Sequence, residues 1–264
     1  MIRALMTAAS GMKAQQMQVD SISNNIANAN TAGYKKTELS FRACFYQTYK
    51  EPGAPTSSSQ RAPTGLQIGS GTEVSGSSKI WEQGELQPAS GKFSLAIQGE
   101  GFFKVRLPSG EFRYTRDGSF HPDSAGTLVT NEGFILDGAP TIPIDSIPGN
   151  TTVGPDGTIE VMTTEGGTPS NVGQLQLYRF PNAAGLKAQG DNLFSESASS
   201  GTAQSVTPTQ TGAGSIQQGY KEASNVQVVD ELVALIVAQR SYEVNSRAIK
   251  ASDEMLQQVN NMVR

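Results

Sequence analysis

The 264 residues suffice for one large or two modest domains, yet only 36% are hydrophobic and 17% charged, with Gly, Ser, Thr, Asn and Gln making up the difference. Such a mix predicts turn-rich β structure plus segments that need a partner to order them. A formal net charge of -4, with no long Lys/Arg run, gives no pull toward a polyanion, so nucleic acid is not expected as a partner.

At the N-terminus, Leu5, Met12, Val19 and Ile26 recur every seven residues, and Ile2 and Ala9 supply the other seam position. The spacing predicts a helix with a narrow apolar stripe within residues 1–32. Its end is crowded with Asn24, Asn25, Asn28 and Asn30, although asparagine competes for backbone groups and suits helix interiors poorly. Gly33 is placed to take the left-handed conformation that stops a helix, and Lys35 and Lys36 follow where the macrodipole favours cations.

Residues 33–79 read as an extended or hairpin linker region carrying a loop from 46 to 71. In it, "KEPGAPTSSSQRAPTG" lacks any large apolar side chain and cannot fold by its own burial. Tyr46, Pro52, Gly53, Pro55, Pro63 and Gly65 mark this projecting loop, with Glu51-Pro52-Gly53 as a turn.

From 80 to 200 the chain is β-like. "FFKVRLPSGEFRYTR" alternates apolar and polar residues either side of Pro108-Ser109-Gly110, a hairpin pattern. Short runs "TLVT", "FILDG", "TIEVM" and "QLQLYRF" are punctuated by Asp117-Gly118, Asn131-Glu132-Gly133, Asp137-Gly138 and Asp156-Gly157, which suits an antiparallel sandwich or barrel. Residues 201–223 read as a polar connector.

The last segment, 224–264, repeats the heptad: Leu235, Tyr242, Ile249, Leu256 and Val263, with Ala238, Asn245, Ser252 and Val259 between them. Ser224-Asn225 is a plausible cap, and Val226, Val229, Val233 and Ile236 add a second stripe. The expected fold is α+β: long terminal helices pairing as a coiled-coil-like domain, a central all-β domain and an extended loop.

Chemistry is sparse. His121, beside Pro122 and Asp123, is the one histidine and reads as a surface loop residue. Cys44, in "FRACFY", is the one cysteine and reads as a small buried residue. Together they exclude an internal disulfide, imidazole pairs and His- or Cys-based metal clusters. No dinucleotide fingerprint or phosphate loop is complete, and Asp117, Asp137 and Asp156 each precede Gly as turn residues. No catalytic residue, cofactor or metal is expected. No run of about 18 apolar residues offers a membrane span. Polar Lys13, Gln15 and Gln16 interrupt any signal-peptide core, so if the protein leaves the cytoplasm it is expected to do so without a cleaved signal.

Two terminal segments carry a family resemblance. "SGMKAQQMQVDSISNNIANANTAGYKKTELSF" (10–41) and "GYKEASNVQVVDELVALIVAQRSYEVNSRAIKASDEMLQQVNN" (219–261) resemble the N- and C-terminal signatures of bacterial flagellar rod and hook proteins. "LAIQGEGFFKV", "YTRDGSF" and "LVTNEGF" resemble their shared β domain. "MIRALMTAASGM" and the insert "YQTYKEPGAPTSSSQRAPTGLQIGSGTEV" are most similar to the distal-rod branch, with proximal rod or hook as the alternative within the family and a secreted carbohydrate-active enzyme outside it.

The resemblance implies a helical homopolymer that transmits torque across the periplasm. It further implies contacts with proximal rod, hook or hook-base subunits and the P- and L-ring bushing, and export through the flagellar type III apparatus. On that reading Leu5, Met12, Val19, Asn24, Asn25, Ile26, Asn28, Leu235, Tyr242, Asn245, Ile249, Leu256 and Val263 form the assembly interface. The 46–71 loop stiffens the rod.

Overall fold

Heptad spacing at the two ends produces two helices, α1 (Ile2–Ala27) and α2 (Val228–Met262). The computed structural model describes residues 2–53, 63–143, 151–162, 168–210 and 212–262. Pro55 of the expected loop and Val263 of the expected seam lie outside the described residues. The chain divides into two units.

The first unit takes Met1–Ile26, Thr37–Ser78 and Gln227–Arg264. Gly11 of α1 faces Asn245 of α2, and Asn25 bonds Glu231. The same residue interval separates these two contacts on both helices while the numbering runs in opposite senses, so α1 and α2 pair antiparallel with nearly parallel axes. The buried residues are Ala8, Ala14, Ile22 and Asn25 on α1 and Glu231, Ala238 and Ser252 on α2, several of them small. A Cβ on Gly11 would stand 2.9 Å from Asn245 Nδ2, so the backbones approach closely there. The larger heptad residues Leu5, Met12, Val19, Ile26, Leu235, Ile249 and Leu256 are half-buried, and Tyr242 is exposed. Two antiparallel strand pairs complete the unit: Thr37–Ala43 with Thr72–Lys79, and Tyr46–Lys50 with Leu66–Gly69.

The second unit takes Ala27–Lys36 and Lys79–Val226. Its centre is a seven-stranded sheet, antiparallel throughout, in the order Lys187–Gly190, Leu193–Ser195, Phe112–Thr115, Phe103–Arg106, Ile135–Leu136, Leu128–Val129, His121–Pro122. The alternating hairpin is present, with Val105 opposite Arg113, and Gly110 closes its turn at φ +85. The inward set, including Phe103 and Val105, meets Leu95, Ile97, Ile159, Leu177 and Ile216 in one core. At about 25 cal/mol per Å² of apolar surface removed from water, each such side chain stabilises the unit by roughly 2 kcal/mol. A three-stranded sheet, Thr151–Val153, Thr158–Val161 and Ser170–Gln174, packs Val153, Ile159 and Val161 into it.

Three local expectations differ from the structure. Residues 201–223 are not merely a connector: Gln204–Val206, Ser215–Gln218 and Tyr220–Glu222 pair with Leu177–Arg179, Leu95–Gln98 and Leu86–Pro88. Their composition is polar because only Ile216 and Glu222 of these strands point fully inward. Gly33 has φ +69 but lies six residues past the end of α1 rather than capping it. Its value is room, since a Cβ would meet the backbone N of Asp117 at 2.6 Å. Nor does Asn225 cap α2, because its side chain bonds the backbone of Lys36 and Ile80 instead.

Candidate assembly surface

The two faces of α2 differ in how they are covered. Glu231, Ala238, Asn245 and Ser252 turn inward toward α1, while Val229, Leu232, Val233, Ile236, Val237 and Val244 project from the opposite side with 45–73% of their surface exposed. Spacings of three, four and seven put the latter on one continuous stripe. The inner, small and polar face is covered by α1, whereas the outer, apolar face is left in solvent within this chain. The expected second stripe is thus present from Val229 to Ile236, whereas Val226 is buried in the β unit. Exposed apolar patches of this kind mark association surfaces.

The asparagine-rich helix end is organised around Asn25, 2% exposed. Its Nδ2 donates to Thr37 O at 3.0 Å and to Glu231 Oε2 at 3.2 Å, and its Oδ1 accepts from Thr37 N at 2.9 Å. One amide therefore fixes the returning chain and the root of α2 together. Asn24 is exposed, and Asn28 Oδ1 accepts from Thr31 Oγ1 at 3.2 Å in the turn after the helix. Asn25→Ala is expected to destabilise the helix unit by about 2–3 kcal/mol, because it removes three hydrogen bonds from a dry site. Hydrogen exchange in the last turns of α1 checks this: unchanged protection there would show that the clamp contributes nothing.

Of the 46–71 loop, Tyr46–Lys50 and Leu66–Gly69 form a ribbon with both faces in solvent. Phe45, Tyr46, Tyr49, Leu66 and Ile68 are all exposed, Phe45 by 95%. Tyr49 is tied to Arg3, which donates to its hydroxyl and lies 5.3 Å from its ring. Gly53 takes φ +83 in the expected turn after Pro52, whereas Gly65 lies outside any turn and its value is room, since a Cβ there would meet Lys50 O at 2.6 Å. Pro52 and Pro63 are exposed. A lone two-stranded ribbon is marginally stable in water.

The sequence reading missed a buried charge cluster in the β unit. Lys35 Nζ donates to Glu222 Oε1 and to Glu82 O, both at 2.6 Å, and the Lys35 and Glu222 side chains are fully buried. Gly84 N donates to Glu222 Oε1 at 3.0 Å, and Arg116 Nη1 lies 3.7 Å from Oε2. Burial holds the Lys35 ammonium below its ordinary value of 10.5, since desolvation outweighs the attraction of Glu222. Lys35 was expected only as a cation beyond a helix end. No local pattern in the sequence links it to a carboxylate so far along the chain.

Other polar candidates are structural. Asp117 Oδ1 accepts from Ser119, Asp156 Oδ1 from Thr158, and Asp137 pairs with Lys104 at 2.8 Å. His121 is exposed on the sheet edge, and Cys44 is half-buried rather than buried. Among the described residues, no group of three or more His, Cys, Asp or Glu converges into a metal-binding set, and no helix is long and apolar enough to cross a membrane.

Comparison with known proteins accounts for both units. Residues 5–35 match the family described as flagella basal body rod protein, 96–161 the flagellar hook protein FlgE/F/G D1 domain, and 217–262 the flagellar basal body rod FlgEFG protein C-terminal. Flagellar basal-body rod protein FlgG of Borreliella burgdorferi is 44% identical over 264 residues, covering both chains completely. Its counterpart in Caulobacter vibrioides is 44% identical over 97% of each chain, and that of Bacillus subtilis 37% identical over all of each. With helix pair, ribbon and β unit all falling inside those alignments, the chain belongs to the FlgG family of flagellar basal-body rod proteins.

Proposed function

We propose that this chain is the structural subunit of the distal rod, polymerising into a rigid helical tube that carries torque from motor to hook. The observation that carries the reading is the second apolar stripe on α2, from Val229 to Val244, which the chain's own fold leaves in solvent. Burying six half-exposed aliphatic side chains contributes several kcal/mol per contact, enough to drive association of a subunit with copies of itself. The full-length likeness to FlgG proteins favours the distal rod over the proximal rod or hook. A rod role leaves no task for a catalytic group.

In this reading the heptad residues and Asn24, Asn25 and Asn28 order the helical layer of the tube, with Asn25 acting within its own subunit. The neighbours along the axis are proximal rod proteins and hook or hook-base subunits, the P- and L-rings surround it, and the subunit reaches its place through the type III apparatus. The 46–71 ribbon wedges between axially adjacent subunits and blocks sliding, through Tyr46 and Tyr49 and the Pro/Gly turn residues. Purified protein should form straight filaments in electron micrographs. Deleting residues 50–65 should leave polymers that curve or bend more easily. Deletion filaments as straight as the parent's would remove the stiffening role, and failure of the parent to polymerise would remove the rod reading itself.

A further inference from the structure

Two stretches of α2 run for eight residues without a charged side chain, LVALIVAQ (232–239) and MLQQVNNM (255–262). Each is about 12 Å long, and they lie near opposite ends of the helix, about 35 Å apart at 1.5 Å per residue. In the first, Leu232, Val233, Ile236 and Val237 form the root of the outer stripe, 45–59% exposed. In the second, Met255, Val259 and Met262 are 47–84% exposed, and spacings of four and three put them on one face. The register of the helix pair explains why the second stretch is bare. Nine residues on from the contact between Gly11 and Asn245, Ile2 stands opposite Glu254, so the described part of α1 gives no cover from Met255 onward. From there to Met262 only Leu256 is half-buried.

One helix therefore bears two uncovered apolar patches of equal length, and burying either strands no charge. Within one chain they do not meet, because the helix itself holds them apart. A patch that pairs with its own counterpart closes at a dimer, whereas the root of one helix laid against the end of another in the same direction repeats without closing and builds a filament. An antiparallel pair of α2 helices would join both patches at once and also close. Its midpoint is Arg247, eighteen residues or five turns beyond Val229 and so on the same face, which would set two exposed guanidinium groups against each other. Ile2 and Met6, the exposed apolar side chains at the start of α1, flank Arg3 and would carry its charge into the contact.

We propose that the outer stripe at the root of α2 is covered by the last two turns of α2 from a second copy, a parallel lap joint between successive subunits and an inference that rests on the rod reading above. The overhang matches the stripe in length, in its exposed aliphatic and thioether side chains and in its freedom from charge. Methionines at both ends of the overhang adapt to an aliphatic surface without demanding one fixed packing. Because each copy has one root and one overhang, every subunit gives the contact once and receives it once.

Cys44 is the only cysteine, so Cys44→Ser gives a thiol-free parent. In that background, filaments of the double variant Val233→Cys/Val259→Cys treated with a short bis-maleimide, which reaches across one helical turn, should run as a ladder of multimers in denaturing gels. The two positions stand about 39 Å apart along one helix, at 1.5 Å per residue, so no bridge forms within a chain. An equimolar mixture of the two single variants should stop at dimers, and neither single variant alone should cross-link. Val259→Asp, with the cysteine left in place, should raise the critical concentration for assembly at least about tenfold and leave melting of the monomer unchanged, because the side chain is exposed there.

Cross-linking of either single variant by itself would show that a patch meets its own counterpart, and dimers without a ladder from the double variant would show the closed antiparallel pair. Both overturn the lap joint. Sedimenting filaments in which the mixed single variants stay uncoupled would overturn it too, since another surface then covers the stripe while the rod reading stands. Normal assembly of Val259→Asp does the same without any cross-linker. If the unaltered chain yields no sedimenting polymer, the rod reading fails, and the second copy as occupant fails with it.

Discussion

Glu222→Gln is expected to lower the stability of the β unit by about 3–5 kcal/mol, read as a shift of the denaturant midpoint, because it strands buried cations without their carboxylate. Glutamine has the same shape and still accepts from Lys35 Nζ and Gly84 N, so the loss reports charge rather than packing. Lys35→Met should cost less, since Arg116 remains to balance Glu222. The two variants also differ in pH dependence. Burial puts the Lys35 pKa below 10.5, so the folded chain releases that proton at lower pH than the unfolded chain does. Between the lowered value and 10.5 the unfolded state therefore binds more protons, and stability rises with pH. Lys79 is shifted the same way by burial and adds to the rise. Lys35→Met should flatten the rise and Glu222→Gln should not remove it. Equal midpoints for Glu222→Gln and the parent would sink the assignment of this cluster as a structural tie.

Ile236→Asp should abolish polymerisation while leaving thermal unfolding of the monomer within about 0.5 kcal/mol of the parent, as for an exposed surface substitution. Ile236 is 57% exposed on the outer stripe of α2, so a charge there meets water in the monomer and an apolar neighbour in the filament. Ile249→Asp provides the contrast. That residue is half-buried on the side of α2 that faces α1, so its replacement should both loosen the helix pair, by about 1–3 kcal/mol, and prevent assembly. Sedimentation together with circular dichroism separates the cases. Normal filaments from Ile236→Asp would move the association surface elsewhere, and an unfolded Ile236→Asp monomer would mean that the stripe is covered within the chain.

Repeats of short period decided what could be foreseen. Leu5 to Ile26 and Leu235 to Leu256 specify helices because a seven-residue spacing keeps side chains on one helical face, and Phe103 to Tyr114 specifies a hairpin because alternation places one set inward. Pro52-Gly53 and Pro108-Ser109-Gly110 specify turns through their allowed backbone angles. Those are local properties, carried by residues within a few turns or strands of one another.

What each element packs against was left to the tertiary structure. The heptad alone does not say that Ala8, Ala14, Ile22 and Ala238 would be buried while Leu5, Met12 and Val19 stay half-buried; that follows from how closely two backbones approach once paired. Asn25 reads as a misfit in a helix until Thr37 and Glu231 arrive to use all its hydrogen-bonding groups. Lys35 and Glu222 lie 187 residues apart and Asn225 and Lys36 lie 189 apart, with no periodicity to connect them. Such pairs are selected by the three-dimensional requirement that a buried charge or a buried backbone N–H find a partner, wherever along the chain that partner is.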